Sequence, residues 1–331
     1  MERNNKARLL IILLSTAGLA ASALLGLCLG ASNIRPSVLI ATLFAGDPDD
    51  SLYRILYTVR LPRVMGALLA GSALAVSGAV IQSVLNNPLA SPNVIGVNAG
   101  AGLMVLLTSA FLPAAPLLLP LAAFSGALLA CMMILAITMF ARMSRVLLVL
   151  TGFVVNSIFS AGMNTIMILY PDAYVGAGNF LVGGLSAVTS GTLVYPAVFI
   201  GAGLILALFS SKGLNILNLG ADSAKALGMN VNACRCIYLT IAAILAGAAV
   251  SFAGMIGFVG LLVPHGVKLI IGQDNRFVIP ASALAGGMFV ILCDLMARTL
   301  FLPYELPVGI LMSFLGGPFF LYLIFKNMQK R

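Results

Sequence analysis

Two arginines three residues apart, Arg60 and Arg63 in the stretch VRLPRVMG, stand at the edge of a long apolar segment with Pro62 between them. Ionisable groups beside or within membrane-length apolar segments are functional candidates, because a bilayer interior penalises them. If Pro62 opens a helix, both arginines lie near its positive dipole end, where a cation is disfavoured by roughly 0.3 to 1 kcal/mol. Asp294 precedes Arg298 by four residues, the spacing of an ion pair on one helix face, and reads first as a structural pair. His265 is the single histidine. It follows Pro264 at an expected helix end, where a polar side chain costs little, and reads as bland rather than as a proton relay.

The remaining chemistry is sparse. The chain has no G-x-x-x-x-G-K-[ST] stretch and so no P-loop for ATP. The loose G-x-S-x-G match in GGLSAVTSG fails on spacing and indicates no hydrolase nucleophile. No catalytic residue and no cofactor is expected. Gly152, Asn156, Ser160 and Asn164 recur every four residues. Such a stripe either glues helices together or faces a wet pathway, and both readings stand at this point. In SSKGLNILNLGADSAKALGMNVNACR, Asp222 suits an early helical position, Ala224 to Leu227 are helix formers and Gly228 offers a stop. That short helix is either an ordinary loop helix or a docking element.

The elements that must position these groups are membrane spans. Of 331 residues, 61% are hydrophobic and 8% charged, against roughly 25% charged in an average soluble domain. Residues 64–141 contain no Asp, Glu, Lys or Arg, room for about three spans at ~20 residues each. The basic start MERNNKAR leads into an uncharged run longer than the ~7 to 15 residues of a signal-peptide core, so a first span is expected there. The five cysteines are scattered without a C-x-x-C pair and read as small packing residues. Ala67, Gly71, Ala75 and Ala79, every four residues, predict close helix approach.

Uncharged runs predict an all-α polytopic membrane protein of about ten transmembrane helices in a single transmembrane domain, near 9–30, 64–84, 93–111, 117–140, 146–169, 191–210, 237–253, 255–271, 277–297 and 306–325. Basic residues concentrate on the cytoplasmic side of membrane proteins. An even count with basic ends puts both termini there, and 13 of the 18 basic residues then fall inside. The exceptions are Arg35, Arg54, Arg60, Arg63 and Arg298. The net charge of +9 therefore marks membrane sidedness rather than a nucleic-acid surface. Interrupted helices are expected at LNNPLASPNVIG and GFVGLLVPHGVKLIIG, each around its prolines.

Four ordered stretches, 60–102, 214–231, 254–287 and 294–324, carry a resemblance. They begin RLPRVMGALLAGSALAVSGAV, LNILNLGADSAKALGMNV, GMIGFVGLLVPHGVKLIIG and DLMARTLFLPYELPVGILMSF. Together they resemble the membrane permeases of ABC importers for iron-siderophores, haem and cobalamin. The resemblance implies a permease dimer with the pathway on its axis, two cytoplasmic ATP-binding subunits, an extracytoplasmic solute-binding protein and a surround of membrane lipid. It implies that Arg60, Arg63 and Arg298 face glutamates of the binding protein. It makes Asn87 and Leu89 one side of a cytoplasmic gate, with Ser144 and Arg145 opposite. Asn156, Ser160, Asn164, Gly309 and Ser313 become pathway-lining residues. Leu219, Gly220, Asp222, Ala224, Leu227 and Gly228 become the helix that couples the permease to its ATPase. Two departures stand out: Lys268 occupies a position usually held by arginine, weakening any bidentate contact, and a tryptophan usual near NFLVGGLS is absent.

The expected function is thus ATP-driven import of an iron chelate, foremost a ferric siderophore, across a bacterial inner or cytoplasmic membrane. Haem or cobalamin import is the alternative within the family, and ion-coupled secondary transport the alternative outside it. The near absence of carboxylates within the spans weighs against the latter.

Overall fold

The computed structural model describes residues 2–328 apart from 31, 46, 48 and 141–143, with the side chains of 2–5, 45, 145 and 322–328 outside the description. It consists of α1 (Glu2–Cys28), α2 (Pro36–Ala45), α3 (Ser51–Ile55), α4 (Leu61–Leu85), α5 (Val97–Phe111), α6 (Leu119–Phe140), α7 (Arg145–Leu169), α8 (Pro171–Val182), α9 (Ser190–Phe209), α10 (Ser211–Asn218), α11 (Ala221–Ala226), α12 (Val231–Ala253), α13 (Val259–Ile271), α14 (Asn275–Thr299) and α15 (Val308–Met328). No strand occurs among the described residues.

Every expected span overlaps one of these helices, and among the described residues seven are long and apolar enough to cross a membrane. Of the others, α5 and α13 are shorter, at 15 and 13 residues. At 1.5 Å per residue α5 and α13 are about 20 Å long, less than the ~30 Å hydrocarbon layer. Irregular chain precedes each of them, at 86–96 and 254–258. Irregular backbone at membrane depth persists only where protein covers it, and here each break is covered, the first by the start of α13 at Gly260 and the second by the stretch around Phe180 and Gly183. A Cβ on Gly260 would lie 2.7 Å from the Leu74 carbonyl oxygen and 2.7 Å from Pro92. The second break does not fall at Pro264, as expected from sequence, but at Gly254–Phe258, where both named residues take positive φ. Pro264 sits inside α13 because the carbonyl it frees, that of Gly260, faces the Gln82 amide at 3.5 Å.

The buried centre is α4, flanked by α12, α13 and α14. The small-residue spacing does what it predicts: a Cβ on Gly71 would sit 2.2 Å from the Gly286 carbonyl oxygen, so the backbones of α4 and α14 nearly touch. Hydroxyls stitch α4 to its neighbours, Ser72 to the Ala283 carbonyl of α14 at 2.8 Å and Ser77 to the Ala242 carbonyl of α12 at 2.7 Å. Each such interhelical bond contributes on the order of 0.6 kcal/mol in a membrane.

Pro62 does not open its helix, contrary to the expectation from sequence. The helix begins at Ser51, capped by Asp50, and runs on to Leu85. A single π-helical turn at Leu56–Arg60 precedes the proline. Pro62 has no N–H and its ring crowds the carbonyl four residues back, and a widened turn relieves both. Arg60 and Arg63 therefore lie inside a continuous helix and not at its positive end. Three further helices, α2, α8 and α10, have no counterpart among the expected spans, because they are too short or too polar to register as such.

Candidate functional site

At the end of the bundle where α1 finishes, the three arginines come together, each under a tenth exposed. Arg63 meets Asp294 through its Nε, at 3.1 and 3.0 Å to the two carboxylate oxygens, and reaches Glu305 through a terminal nitrogen at 2.8 Å. Arg298 pairs with the same Asp294 at 3.7 Å and donates to the Gly26 carbonyl. Arg60 donates to the carbonyls of Leu27 at 2.7 Å, Cys28 at 3.2 Å and Ser32, and to the Ser32 hydroxyl at 3.0 Å. The last carbonyls of a helix have no intrahelical partner and carry its negative dipole end. Arg60 and Arg298 thus cap α1 while Arg63 and Asp294 join α4 to α14. The i,i+4 pair seen in the sequence is real, yet the closer partner of Asp294 is Arg63. Glu305, the member that sequence reading missed, is half-exposed at the edge of the cluster.

The expected pathway residues divide. Asn156 donates to the Asn93 carbonyl at 2.8 Å, and a Cβ on Gly152 would lie 2.0 Å from that of Val94. That half of the stripe holds α7 against the broken segment before α5. Ser160 is half-buried and Asn164 exposed further along the same face. Gly309 donates to the Gly183 carbonyl at 3.1 Å and has no room for a Cβ against Val182. Ser313 turns its hydroxyl back to Gly309 at 2.9 Å, on an exposed face beside Phe314. A cavity of about 360 Å³ opens there, lined by Val182, Gly309, Ile310, Ser313 and Phe314. The stretch without the tryptophan is a hub: Met255 N–H donates to the Phe180 carbonyl, and Gly184 N–H to that of Ala253, both at 2.9 Å. The adjacent Gly183 and Gly184 were the available signal for this junction.

At the opposite end of α4, Asn86 in the left-handed region closes the helix and Asn87 accepts from Leu89 N–H at 2.9 Å. Leu89 is half-buried. Ser144 caps α7 by accepting from Leu147 N–H at 3.1 Å; the Arg145 side chain lies outside the described residues. The 87–95 loop meets α7 through Asn93 and Val94. Lys268, at the position where arginine is usual, is buried and donates once, to Gln82 at 3.1 Å.

The same end carries α11. Gly220 and Gly228 bracket it with positive φ, and Met229 N–H closes back on the Ala224 carbonyl at 3.0 Å. Ala224 is fully buried and anchors the turn, Asp222 stands in its first turn, and Leu219 and Leu227 are 64% and 65% exposed. Arg8 of α1 reaches the Ile271 carbonyl here at 3.1 Å. The amino-terminal helix, the loop with α11 and the turn between α13 and α14 therefore share one end, as the charge count requires. In that turn burial raises the Asp274 carboxyl, but hydrogen bonds from Arg276 and Asn215 outweigh it and hold the group at about 2.

An all-helical multispan bundle with covered breaks, close glycine crossings and a short apolar-tipped helix at its basic end has the build of a membrane permease. The chain belongs to the FecCD transport family, whose model matches residues 18–326. It is 37% identical over 326 residues, 98% of this chain and 97% of the relative, to the Fe(3+)-citrate import system permease YfmD of Bacillus subtilis. It is 36% identical to the hemin transport system permease HmuU of Yersinia pestis, covering 92% of this chain and 93% of that one. Among solved structures it superposes with a TM-score of 0.83 at 27% identity on an inward-facing chain assigned to the metal-chelate type of ABC transporter, covering 96% and 99%.

Proposed function

We propose that this chain is the membrane subunit of an ATP-driven importer that carries an iron chelate, foremost a ferric siderophore, into the cytoplasm across a bacterial inner membrane. Two copies, or one copy and a paralogue, enclose the pathway between the faces carrying Ser160, Asn164, Gly309 and Ser313. The observation that carries this reading is α11. A six-residue helix held between two glycines and tipped by exposed Leu219 and Leu227 is a docking knob, because exposed apolar side chains at a polar end mark a protein contact. Its partner is the ATP-binding subunit, which supplies the hydrolysis that this chain lacks. Asn87 and Leu89, with Ser144 and Arg145, form the gate on that side.

The docking role of Arg60, Arg63 and Arg298 is carried by the cluster as a whole. Three guanidiniums against Asp294 and Glu305 leave the cluster one positive charge in excess. An acidic solute-binding protein gains orientation and encounter rate from this rather than affinity. Its association rate should fall as salt rises from ~0.05 to ~0.5 M, since screening shortens the reach of the excess charge; a flat salt profile would remove the electrostatic role.

The test of the main reading is co-purification. Co-expressed with its cognate ATPase, the wild-type chain should retain that subunit through detergent extraction. Leu219→Glu should reduce the retained ATPase at least ~tenfold, since a carboxylate placed in an apolar contact costs well over 1 kcal/mol. Undiminished retention would count against α11 as the contact.

A further inference from the structure

Beside α11 a set of polar side chains, with Ser83 and Asn275 buried and Asn215 and Asp274 half-buried, joins three helices that lie far apart in sequence. The Oδ1 of Asn215, on α10, accepts from the Asn275 backbone N–H at 2.8 Å and from the Asn275 side-chain amide at 3.0 Å. Its Nδ2 donates to Asp274 at 2.7 Å. Asn275 is fully buried, and its side-chain oxygen accepts from the Ser83 hydroxyl at 3.0 Å. Asp274 and Asn215 together serve the first N–H groups of α14, which have no partner within that helix. Unpaired, these groups would be expensive at this depth, so the set holds or fails largely as a unit.

Its position matters more than its stability. Asn215 lies on α10, whose buried Leu214 and Leu217 seat it on the bundle, and α10 passes through Leu219 and Gly220 directly into α11. Ser83 stands in the last turn of α4, three residues before the left-handed Asn86 and four before Asn87. Along the chain more than a hundred residues separate α11 from that loop, whereas through space two side-chain contacts, Asn215 to Asn275 and Asn275 to Ser83, bridge α10 to α4.

We infer that Asn215, Asn275 and Ser83 are positioning residues that transmit displacement of α11 to the Asn86–Asn87 end of α4 and to α14. The inference rests on the reading of α11 as the ATPase contact. It assigns the transmission to hydrogen bonds specific to these side chains, and not to chain connectivity through α12.

The experiment uses the complete complex of permease, ATPase and binding protein in lipid vesicles, with ferric citrate, haem and a ferric hydroxamate as trial cargo. The readout is the ratio of ATP hydrolysis with loaded binding protein to hydrolysis without it, alongside uptake per ATP. Asn215→Ala and Ser83→Ala should each lower that ratio about fivefold or more, the lower end of ordinary coupling strengths, in complexes whose subunit content and Tm match wild type. The double variant should be no worse than the poorer single, because one route is cut twice. Ser83→Ala removes only a hydroxyl and decides the matter if Asn215→Ala does not assemble. Ratios unchanged in assembled complexes, or strictly additive losses, would overturn the inference. Leu219→Glu separates the two readings. If it releases the ATPase while Asn215→Ala couples normally, the transmission is wrong and α11 stands. If the ATPase stays bound and stimulated in Leu219→Glu, the α11 reading fails, and the transmission with it.

Discussion

Asp294→Ala is expected to destabilise the permease by about 3 to 5 kcal/mol, the usual result of removing one partner from a buried ion pair. The carboxylate is 2% exposed and faces both Arg63 and Arg298, so its loss leaves two buried guanidiniums without their shared anion. Arg63 retains Glu305 and Arg298 retains the Gly26 carbonyl, and neither contact joins α4 to α14. Thermal unfolding in detergent, followed by loss of the monodisperse peak in size-exclusion chromatography, measures the effect. Pairing the change with Arg63→Met should recover part of the loss, because replacing both members of a buried pair by apolar groups is often tolerated. A double variant worse than Asp294→Ala by the full cost of a second independent change would mean that the two side chains do not act as a pair.

Gly78→Val is expected to be of comparable severity for a different reason. Any Cβ at residue 78 would lie 1.8 Å from the Gly260 carbonyl oxygen, and that obstacle is backbone, with no rotamer to relieve it. Overpacking a close-fitted interior costs about 1 to 3 kcal/mol and at times more. Here it also pushes α13 away from α4 and from Pro92, against which Gly260 sits. Gly176→Ala, inside α8 with open space around it, is the internal control. It should be neutral or stabilising by up to ~1 kcal/mol, the helix propensity difference between the two residues. Equal Tm values for Gly78→Val and wild type would contradict the close crossing of α4 and α13.

How much of the fold is legible in the sequence follows from the range of the interactions involved. Spans are local runs of apolar residues, and each of the ten expected runs overlaps a helix. The turn at Gly228 and the early position of Asp222 are also local, so the residue pattern alone marks α11. The pairing of Asp294 with Arg298 is visible because four residues in a helix are neighbours. The stronger pairing of Asp294 with Arg63 is not, since 231 residues intervene and only the docking of α4 on α14 brings them together. Arg60 looks doubly misplaced in the sequence because a proline is a natural first residue of a helix. The π turn carries the helix through Pro62, and the carbonyls that Arg60 serves belong to α1. The stripe on α7 is legible as a periodicity and ambiguous as to purpose, and its two halves have different surroundings. Asn156 binds the chain before α5, while Asn164 faces outward.

The most direct test of the central claim is cargo uptake into lipid vesicles holding the permease and its ATPase, with the binding protein outside and ATP trapped within. The account predicts uptake of an iron chelate that requires ATP, is lost when the ATPase is omitted, and is indifferent to a protonophore. Uptake by the permease alone that collapses when the proton gradient is dissipated would contradict it.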